Sequence, residues 1–230
     1  MIEKKTVLDR YRGEFFDGEW PSITEMLKLN AHRYSDRPAF SHFEGNEKHS
    51  ITFGELLERV YGVATFLKSK GVKKGDRIIL NGKNTPAWGI SYLGIQALSA
   101  VVVPLDNQMA ADRVDALSEF SGARAIFADS DVLDKSTAEF EFKVSLSKFD
   151  NSEYIDFESI KAAKKAPGAL PTEDDVAAIL FTSGTTGNEK GVVLTHANFM
   201  SNVFQASDPN FLNFTHEDVL YGLLPLHHSY

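Results

Sequence analysis

The chain has 230 residues, an apolar fraction of 43% and a formal net charge of −8. This length and apolar fraction predict one large domain or two small ones with a sizeable core, and the acidic balance excludes a general nucleic-acid binder, which needs a basic face. No cysteine is present, so disulfides, thiolate catalysis and cysteine-based zinc sites are excluded, and no other metal site is indicated.

The N-terminus lacks the apolar core of a signal peptide, so a cytoplasmic location is the default.

The first predicted element is a helix, because residues 53–70 carry the apolar periodicity of an amphipathic helix. Thr52 is placed to cap this helix, Glu55 to complete a capping box, and Gly71 to end it. A strand is predicted directly afterwards, over residues 76–80.

An uncharged stretch from Asn84 to Leu105 is long enough to suggest a membrane span. Polar side chains interrupt it and Pro104 ends it, so its pattern favours a buried helix (85–99) followed by a buried strand (100–104). We therefore expect no transmembrane segment, and a peripheral membrane contact stays open.

The later elements continue the alternation of helix and strand. Helices are predicted over 112–120 and 195–205, a linker over 161–171, and strands over 123–128, 140–146, 176–181, 191–194 and 219–224. This order predicts an α/β fold with a mostly parallel sheet flanked by helices on both faces.

The segment from Phe181 to Gly191 runs from a buried strand into a loop rich in glycine and hydroxyl residues, with a lysine behind it. Glycines let amides approach an anion closely, hydroxyls donate to phosphate oxygens, and lysine adds a positive charge. The candidate phosphate-binding residues are Thr182, Ser183, Gly184, Thr185, Thr186, Gly187 and Lys190. Composition alone favours a flexible surface connection, but a loop at the end of a buried strand lies where open α/β sheets bind ligands.

A second interpretation, the phosphate loop of NTPases, fails on spacing. That loop needs glycine directly before its lysine and Ser or Thr directly after it, whereas Lys190 stands between Glu189 and Gly191.

Residues 181–192 resemble the phosphate-binding signature of the adenylate-forming superfamily, which includes acyl-CoA synthetases, luciferases and peptide-synthetase adenylation domains. Every position agrees with the family pattern except Glu189. Proline is usual at this position, and the glutamate places a negative charge beside the predicted phosphate site. Residues 51–56, 97–106 and 224–230 are also similar to family segments. His228 matches a position in the family's acyl pocket, the role of His227 stays undecided, and His196 is more readily explained by packing at a helix start than by contact with ATP.

The resemblance implies ATP and Mg²⁺ as cofactors, coenzyme A as co-substrate, a small-molecule carboxylic acid as substrate and Lys190 as a catalytic residue. It also implies that residues 1–230 are part of the N-terminal, AMP-binding domain. Residues 1–170 would form a leading α/β region, and 171–230 the strand, the phosphate loop and the start of the acyl-pocket segment. Because no segment resembles the later adenine and ribose motifs or the C-terminal domain, we expect a truncated chain that is inactive alone.

The predicted function is therefore that of the N-terminal part of an ATP-dependent carboxylic acid–CoA ligase, with a fatty acid as the favoured substrate. One alternative is an adenylation domain that loads an amino or aryl acid onto a carrier protein. Another is a nucleotide-binding module without catalysis. The sequence leaves the acyl chain length, the thiol acceptor and the oligomeric state open.

Overall fold

The computed structural model describes residues 8–182, 190–207, 210, 212 and 215–227. The helices of eight or more residues are α1 (Ile23–Tyr34), α2 (Phe53–Ser69), α3 (Pro86–Ala97), α4 (Ala111–Ser121) and α6 (His196–Ala206), with a short α5 (Ser130–Leu133) and a 3₁₀ turn at Phe157–Ser159. The strands are β1 (Pro38–Glu44), β2 (Glu47–Thr52), β3 (Arg77–Asn81), β4 (Val101–Leu105), β5 (Ala125–Ala128), β6 (Phe142–Ser145), β7 (Ile155–Asp156), β8 (Val176–Thr182) and β9 (Lys190–Thr195).

Seven of the strands form one twisted sheet in the order β7-β6-β5-β3-β4-β8-β9. All neighbouring pairs are parallel except β8 and β9, which form an antiparallel hairpin at one edge. Helices connect β3 to β4, β4 to β5 and β5 to β6, as expected because a parallel crossover needs a long connection, and a loop connects β6 to β7. This arrangement confirms the predicted fold class, a mostly parallel α/β sheet.

The core lies on both faces of this sheet, because alternate strand residues point to opposite sides. In β3, Ile78 and Leu80 pack into a cluster with residues of α2 and α3, such as Val60 and Ile95. Ile79 points the other way, into a cluster with residues of α4 and α5. Helices therefore cover both faces, which confirms that part of the prediction.

The ends of α2 and α4 are set by local sequence. The Thr52 side chain accepts a hydrogen bond from the Glu55 backbone N–H, and Glu55 Oε2 accepts one from the Thr52 N–H at 2.9 Å, which completes the predicted capping box. Gly122 ends α4 in the left-handed conformation with φ of 63°, a conformation that glycine adopts without steric cost.

Several features of the chain differ from the sequence-based expectations, and α1, α5 and β7 lie where no element was predicted. Residues 38–52, for which no element was predicted, form the antiparallel β1–β2 hairpin. The strand predicted over 219–224 is wrong, because these residues have no strand pairing. Val219 is 93% exposed, so the apolar run has neither a neighbouring strand nor a core to pack against in the described part of the chain.

The strand predicted over 176–181 is present as β8, but it is less buried than expected. It pairs in parallel with β4 through Ala178 and Val102. Only Ala177 and Ala178 are buried, and burial decreases towards Thr182. Beyond it, β9 lies at the edge of the sheet, with Val192 and Val193 exposed by 43% and 55%.

The uncharged stretch from Asn84 to Leu105 contains α3 and β4. Its residues Ser91, Gln96, Ser99 and Pro104 are buried, whereas Asn84 and Thr85 at its start are exposed. Among the residues that the structure describes, no helix is both long enough and apolar enough to cross a bilayer. Residues from both predicted regions, 1–170 and 171–230, contribute strands to the same sheet, and the division between them stays a prediction.

Candidate functional site

Thr182 and Lys190 lie opposite each other at the end of the β8–β9 hairpin where residues 183–189 connect the two strands. Thr182 is the last residue of β8, Lys190 is the first of β9, and the two are partners in the strand register. Both are exposed. A hydroxyl and an ammonium group are thus presented together at the carboxyl end of β8, and both groups bind phosphate oxygens.

Gly191 brings the two strands of this hairpin close together. A Cβ atom at this position would lie 2.9 Å from Ile179 Cγ2 and 3.4 Å from the nearest atom of the Phe181 ring. Real Cβ atoms do not approach another carbon that closely, so a side chain here would push β9 away from β8. The glycine after Lys190 therefore fixes the position of the lysine relative to the strand end.

Several predicted site residues lie outside the described residues. They are Ser183, Gly184, Thr185, Thr186 and Gly187 of the phosphate loop, together with Glu189 and His228. Their assignments stay predictions. Of the predicted site residues, the structure places Thr182 and Lys190, and it brings these two together.

Polar side chains also join the loops that follow β3, β4 and β5. The Nδ2 of Asn81, at the end of β3, donates to the carbonyl oxygen of Asp106, just after β4, at 2.6 Å. The carboxylate of Asp129, just after β5, accepts from the backbone N–H of Lys83 at 3.1 Å. A polar network, with Asn81 and Asp129 buried, therefore connects the loops at the carboxyl edge of the parallel sheet, where open α/β sheets bind ligands.

Asp129 is a buried carboxylate in this group. Burial raises its pKa, because the charged form loses water contacts, and the hydrogen bond from the Lys83 backbone opposes that rise. The loop after β3, which contains Gly82 and Lys83, packs closely against Asp129. A Cβ at Gly82 would lie 3.1 Å from Leu146 Cδ1 and 3.4 Å from Asp129 Oδ1. Asp129 therefore fixes the loop that leads from β3 into α3.

The last described residues pack onto the same edge of the sheet. The side chain of Asn84 forms hydrogen bonds with the backbone of Gly222, Leu224 and Leu226. His227 Nε2 lies 3.8 Å from Asp106 Oδ2. We call residues 222–227 the pocket segment, because they include all the described residues that resemble the family's acyl-pocket region, 224–227.

His196, the first residue of α6, is fully buried and does not face this edge as an exposed ligand would. Its Nδ1 accepts a hydrogen bond from the backbone N–H of Ile23 at 3.2 Å. Thr195 caps the helix in a capping box with Asn198. Packing at a helix start, the role that the sequence favoured, accounts for this histidine.

No set of three or more His, Asp or Glu side chains within the described ranges is arranged to hold a metal ion. A hydroxyl and an ammonium, as at Thr182 and Lys190, fit a phosphate and not a bare cation. Mg²⁺ would fit here as a companion of nucleotide phosphates, whose charge it neutralises when bound.

A separate shallow cleft of about 480 Å³ lies between α1 and α2. Its lining includes Phe15, Lys28, His32, Tyr61 and Lys164. None of the lining residues comes from a strand of the main sheet, so this cleft is not part of the polar carboxyl edge.

Comparison with known proteins identifies the family. The profile of the family described as AMP-binding enzyme matches residues 27–230, which is most of the chain. The chain belongs to this AMP-binding enzyme family. Its relatives are adenylate-forming acid ligases, a group that covers CoA ligases and peptide-synthetase adenylation domains.

Individual relatives show both branches of the AMP-binding family. The chain is 32% identical to 4-coumarate–CoA ligase 3 of Oryza sativa subsp. japonica over 81% of its length and 35% of that protein. It is 30% identical to a hybrid PKS-NRPS synthetase of Penicillium crustosum, over 87% of the chain and 5% of that protein. The chain therefore spans about a third or less of the length of these two relatives.

The fold agrees with the same AMP-binding family. The structure of a fatty acid AMP ligase from Legionella pneumophila superposes with a TM-score of 0.75 and 19% identity, over 94% of this chain and 37% of that one. At this identity the likeness shows the shared fold alone.

The sequence reasoning missed Asn81, Asn84, Asp106 and Asp129 of this AMP-binding chain. A signal for them was present, since three of the four lie at or directly after the end of a buried strand and the fourth follows within the same loop. Because the carboxyl ends of parallel strands meet at one edge, polar residues at these positions are predicted to cluster there.

Proposed function

We propose that this chain is the nucleotide-binding part of an ATP-dependent carboxylic acid–CoA ligase. The enzyme would first form an acyl-adenylate from ATP and the acid, and would then form a thioester with coenzyme A. The observation that carries the proposal is the pairing of Thr182 and Lys190, two residues of the signature segment, at the carboxyl end of β8.

In the first step, a carboxylate oxygen of the acid forms a bond to the α-phosphorus of ATP. The bond from that phosphorus to the oxygen bridging to the β-phosphate breaks, and pyrophosphate leaves with the electron pair. The protein has little covalent work in such a reaction, so positioning and charge stabilisation dominate. Lys190 and Thr182, with Ser183, Gly184, Thr185, Thr186 and Gly187, would hold the departing phosphates.

In the second step, the sulfur of the thiol forms a bond to the acyl carbon. The bond from that carbon to the AMP oxygen breaks, AMP leaves with the electron pair, and the thiol proton passes to solvent. The phosphate-binding groups have no leaving pyrophosphate to stabilise at this stage. Lys190 is therefore assigned to the first step only.

A fatty acid is the substrate that we favour. The residues before and within the pocket segment carry apolar side chains, at Leu220, Leu223, Leu224 and Leu226. Such side chains suit an apolar acyl tail, and no carboxylate stands in the 219–227 stretch to hold the amine of an amino acid. His228 is proposed to line the same pocket.

The test is acid-dependent exchange of labelled pyrophosphate into ATP, catalysed by the complete natural protein. A panel of short, medium and long fatty acids and of aryl acids gives the substrate class, and formation of acyl-CoA gives the thiol acceptor. We expect exchange with fatty acids followed by acyl-CoA formation. The 230 residues alone serve as a control that we expect to be inactive. ATP binding without exchange for any acid would overturn the proposal in favour of a non-catalytic nucleotide-binding module.

A second candidate is an adenylation domain that transfers its product to a carrier protein. The 30% identity to the synthetase from Penicillium crustosum supports it as well. The two candidates share the first step and differ in the second. Exchange with an amino or aryl acid, together with no acyl-CoA formation, would favour this candidate.

A further inference from the structure

Both polar atoms of the Asn84 side-chain amide form hydrogen bonds with the backbone of the pocket segment. Its Nδ2 donates to the carbonyl oxygens of Gly222 at 3.1 Å and Leu224 at 2.8 Å. Its Oδ1 accepts from the backbone N–H of Leu226 at 3.0 Å. Two donors and one acceptor are matched at once, and this pattern also sets the orientation of the amide.

The three backbone groups belong to every second residue of the segment. The chain is not extended throughout this stretch, because it bends at Leu224 and enters a turn at Leu226. Asn84 therefore binds three backbone groups of a bent segment, which a side chain with two donor hydrogens and an acceptor oxygen can do. Few other side chains carry both a donor and an acceptor for this purpose, so the contact is specific to an amide.

Asn84 itself stands on a rigid support. It follows the buried end of β3 at Asn81 and precedes Thr85, whose hydroxyl caps α3 by accepting from the Trp88 backbone N–H at 3.2 Å. Asp129 holds the same loop through the Lys83 N–H. The contacts that fix the position of Asn84 therefore do not involve the pocket segment.

Core packing does not hold the middle of the pocket segment, since Leu223 and Leu224 are exposed. The Leu223 N–H donates to the Tyr221 carbonyl oxygen at 2.8 Å, which is a contact within the chain just before the bend. At the far end, the His227 side chain is buried and its Nε2 lies 3.8 Å from Asp106 Oδ2. Among the described residues, the hydrogen bonds of Asn84 join the middle of the segment to the loop after β3.

We propose that Asn84 is a positioning residue that holds the pocket segment against the carboxyl edge of the sheet and so sets the acid-binding pocket. The inference rests on the proposed function for its link to acid binding, whereas the docking itself rests on the hydrogen bonds alone. Asn84 touches neither the phosphates nor the reacting atoms in this assignment, so it acts through residues 222–226.

Hydrogen exchange of this 230-residue chain tests the docking. In Asn84→Ala, we expect the Leu226 amide to exchange about tenfold faster than in the wild type, because its acceptor and two neighbouring anchors are removed. Asn84→Asp keeps an oxygen that can accept from Leu226 but turns a carboxylate oxygen towards the carbonyl oxygens of Gly222 and Leu224, so we expect exchange at least as fast as in Asn84→Ala. Asn46→Ala makes the same change at an exposed asparagine in the β1–β2 turn and should leave the rate unchanged.

Kinetics of the complete protein test the positioning role. In Asn84→Ala, we expect the KM for the acid in pyrophosphate exchange to rise about tenfold, while the KM for ATP changes by less than about twofold. Asn84→Asp should give a rise at least as large, because its carboxylate repels the two carbonyl oxygens that Asn84 binds, and Asn46→Ala none. A merely structural loss would change both KM values together.

The outcomes separate the two hypotheses. Equal exchange rates in Asn84→Ala and the wild type would overturn the docking, and faster exchange with an unchanged KM for the acid would overturn the positioning role. If the wild-type protein catalysed no exchange with any acid, the proposed function would fail and the positioning role with it, and hydrogen exchange would still decide the docking.

Discussion

The backbone N–H of Ile23 donates a hydrogen bond to Nδ1 of His196 at 3.2 Å, so the start of α1 is joined to the start of α6. This contact needs Nδ1 without a proton. The ring is fully buried, and its Nε2 has no hydrogen-bond partner among the described residues. Burial lowers the pKa of His196 to about 4, against a small opposing effect of the Asp175 carboxylate.

The first prediction is that acid destabilises the chain through His196. The unfolded chain binds this proton at a pH near 6.5, before the folded chain does, so the stabilisation is complete above that pH and is lost as the pH falls towards 4. Between pH 7 and pH 5 we expect a loss of about 2 kcal/mol in the free energy of unfolding, measured by urea denaturation.

His196→Gln is the matched control, because glutamine can still accept from the Ile23 N–H and does not titrate. Its free energy of unfolding should change less between pH 7 and pH 5 than that of the wild type. Burial would raise the pKa of Asp175, but hydrogen bonds from Lys74 and the Thr172 N–H lower it overall. Asp175 is present in both proteins, so its contribution to the pH dependence cancels in the comparison. The same pH dependence in both would remove His196 as the cause.

The second prediction concerns Lys190 in the complete protein. If it stabilises the leaving pyrophosphate, Lys190→Ala should lower the rate of the adenylation step by about 10²- to 10³-fold, the usual effect of losing one preorganised charge-stabilising group. Thiol transfer from a preformed acyl-adenylate should be unaffected. Lys48→Ala, at an exposed lysine of β2, should change neither step. A defect confined to the thiol step would withdraw the assignment.

The third prediction concerns Glu189, which stands where the family usually has proline. Glu189→Pro removes a negative charge beside the proposed phosphate site and reduces the number of conformations open to the unfolded loop. We expect pyrophosphate exchange to stay the same or to increase, with a lower KM for ATP. A clear loss of exchange would show that this chain needs the glutamate.

The fourth prediction concerns the contact between α2 and α3. A Cβ at Gly94 would lie 2.5 Å from Val63 Cβ and 3.2 Å from the Val60 carbonyl oxygen. Gly94→Ala should therefore destabilise the chain by about 1–3 kcal/mol through overpacking, more than the helix propensity of alanine offsets. Urea denaturation is the measurement.

Gly168→Ala is the control for this change, because a Cβ there would meet no atom within 4 Å. Its free energy of unfolding should stay within about 0.5 kcal/mol of the wild type. A stable Gly94→Ala variant would mean that the two helices can separate without cost.

Much of the fold could be predicted because its signals are local. The apolar face and capping box of α2, the buried strand at 101–105 and Gly122 after α4 each depend on residues close in sequence. The β1–β2 hairpin was missed because its strand residues are mostly exposed and polar. The prediction of a strand over 219–224 was wrong. Apolar residues with β propensity form a strand where a neighbouring strand pairs with them, and the local sequence does not show whether such a neighbour exists.

The same distinction explains which parts of the candidate site were found. Thr182 and Lys190 were named because the signature that contains them is continuous in the chain. Asn84 was not, because its partners are backbone groups 138 to 142 residues away. Any residue type can supply the backbone groups that Asn84 binds, so the sequence of residues 222–226 carries no sign of the contact. The contact is visible in the structure alone.

The edge strand β9 has a practical consequence for work with this chain. Its outer side has no strand beside it in the described residues, and Val192 and Val193 are exposed on it. Unpaired strand edges with apolar side chains and little charge tend to pair with another copy. Preparations of these 230 residues should therefore associate as their concentration rises. Replacing Val193 with lysine, on a strand that remains intact, is the change most suited to keeping them monomeric.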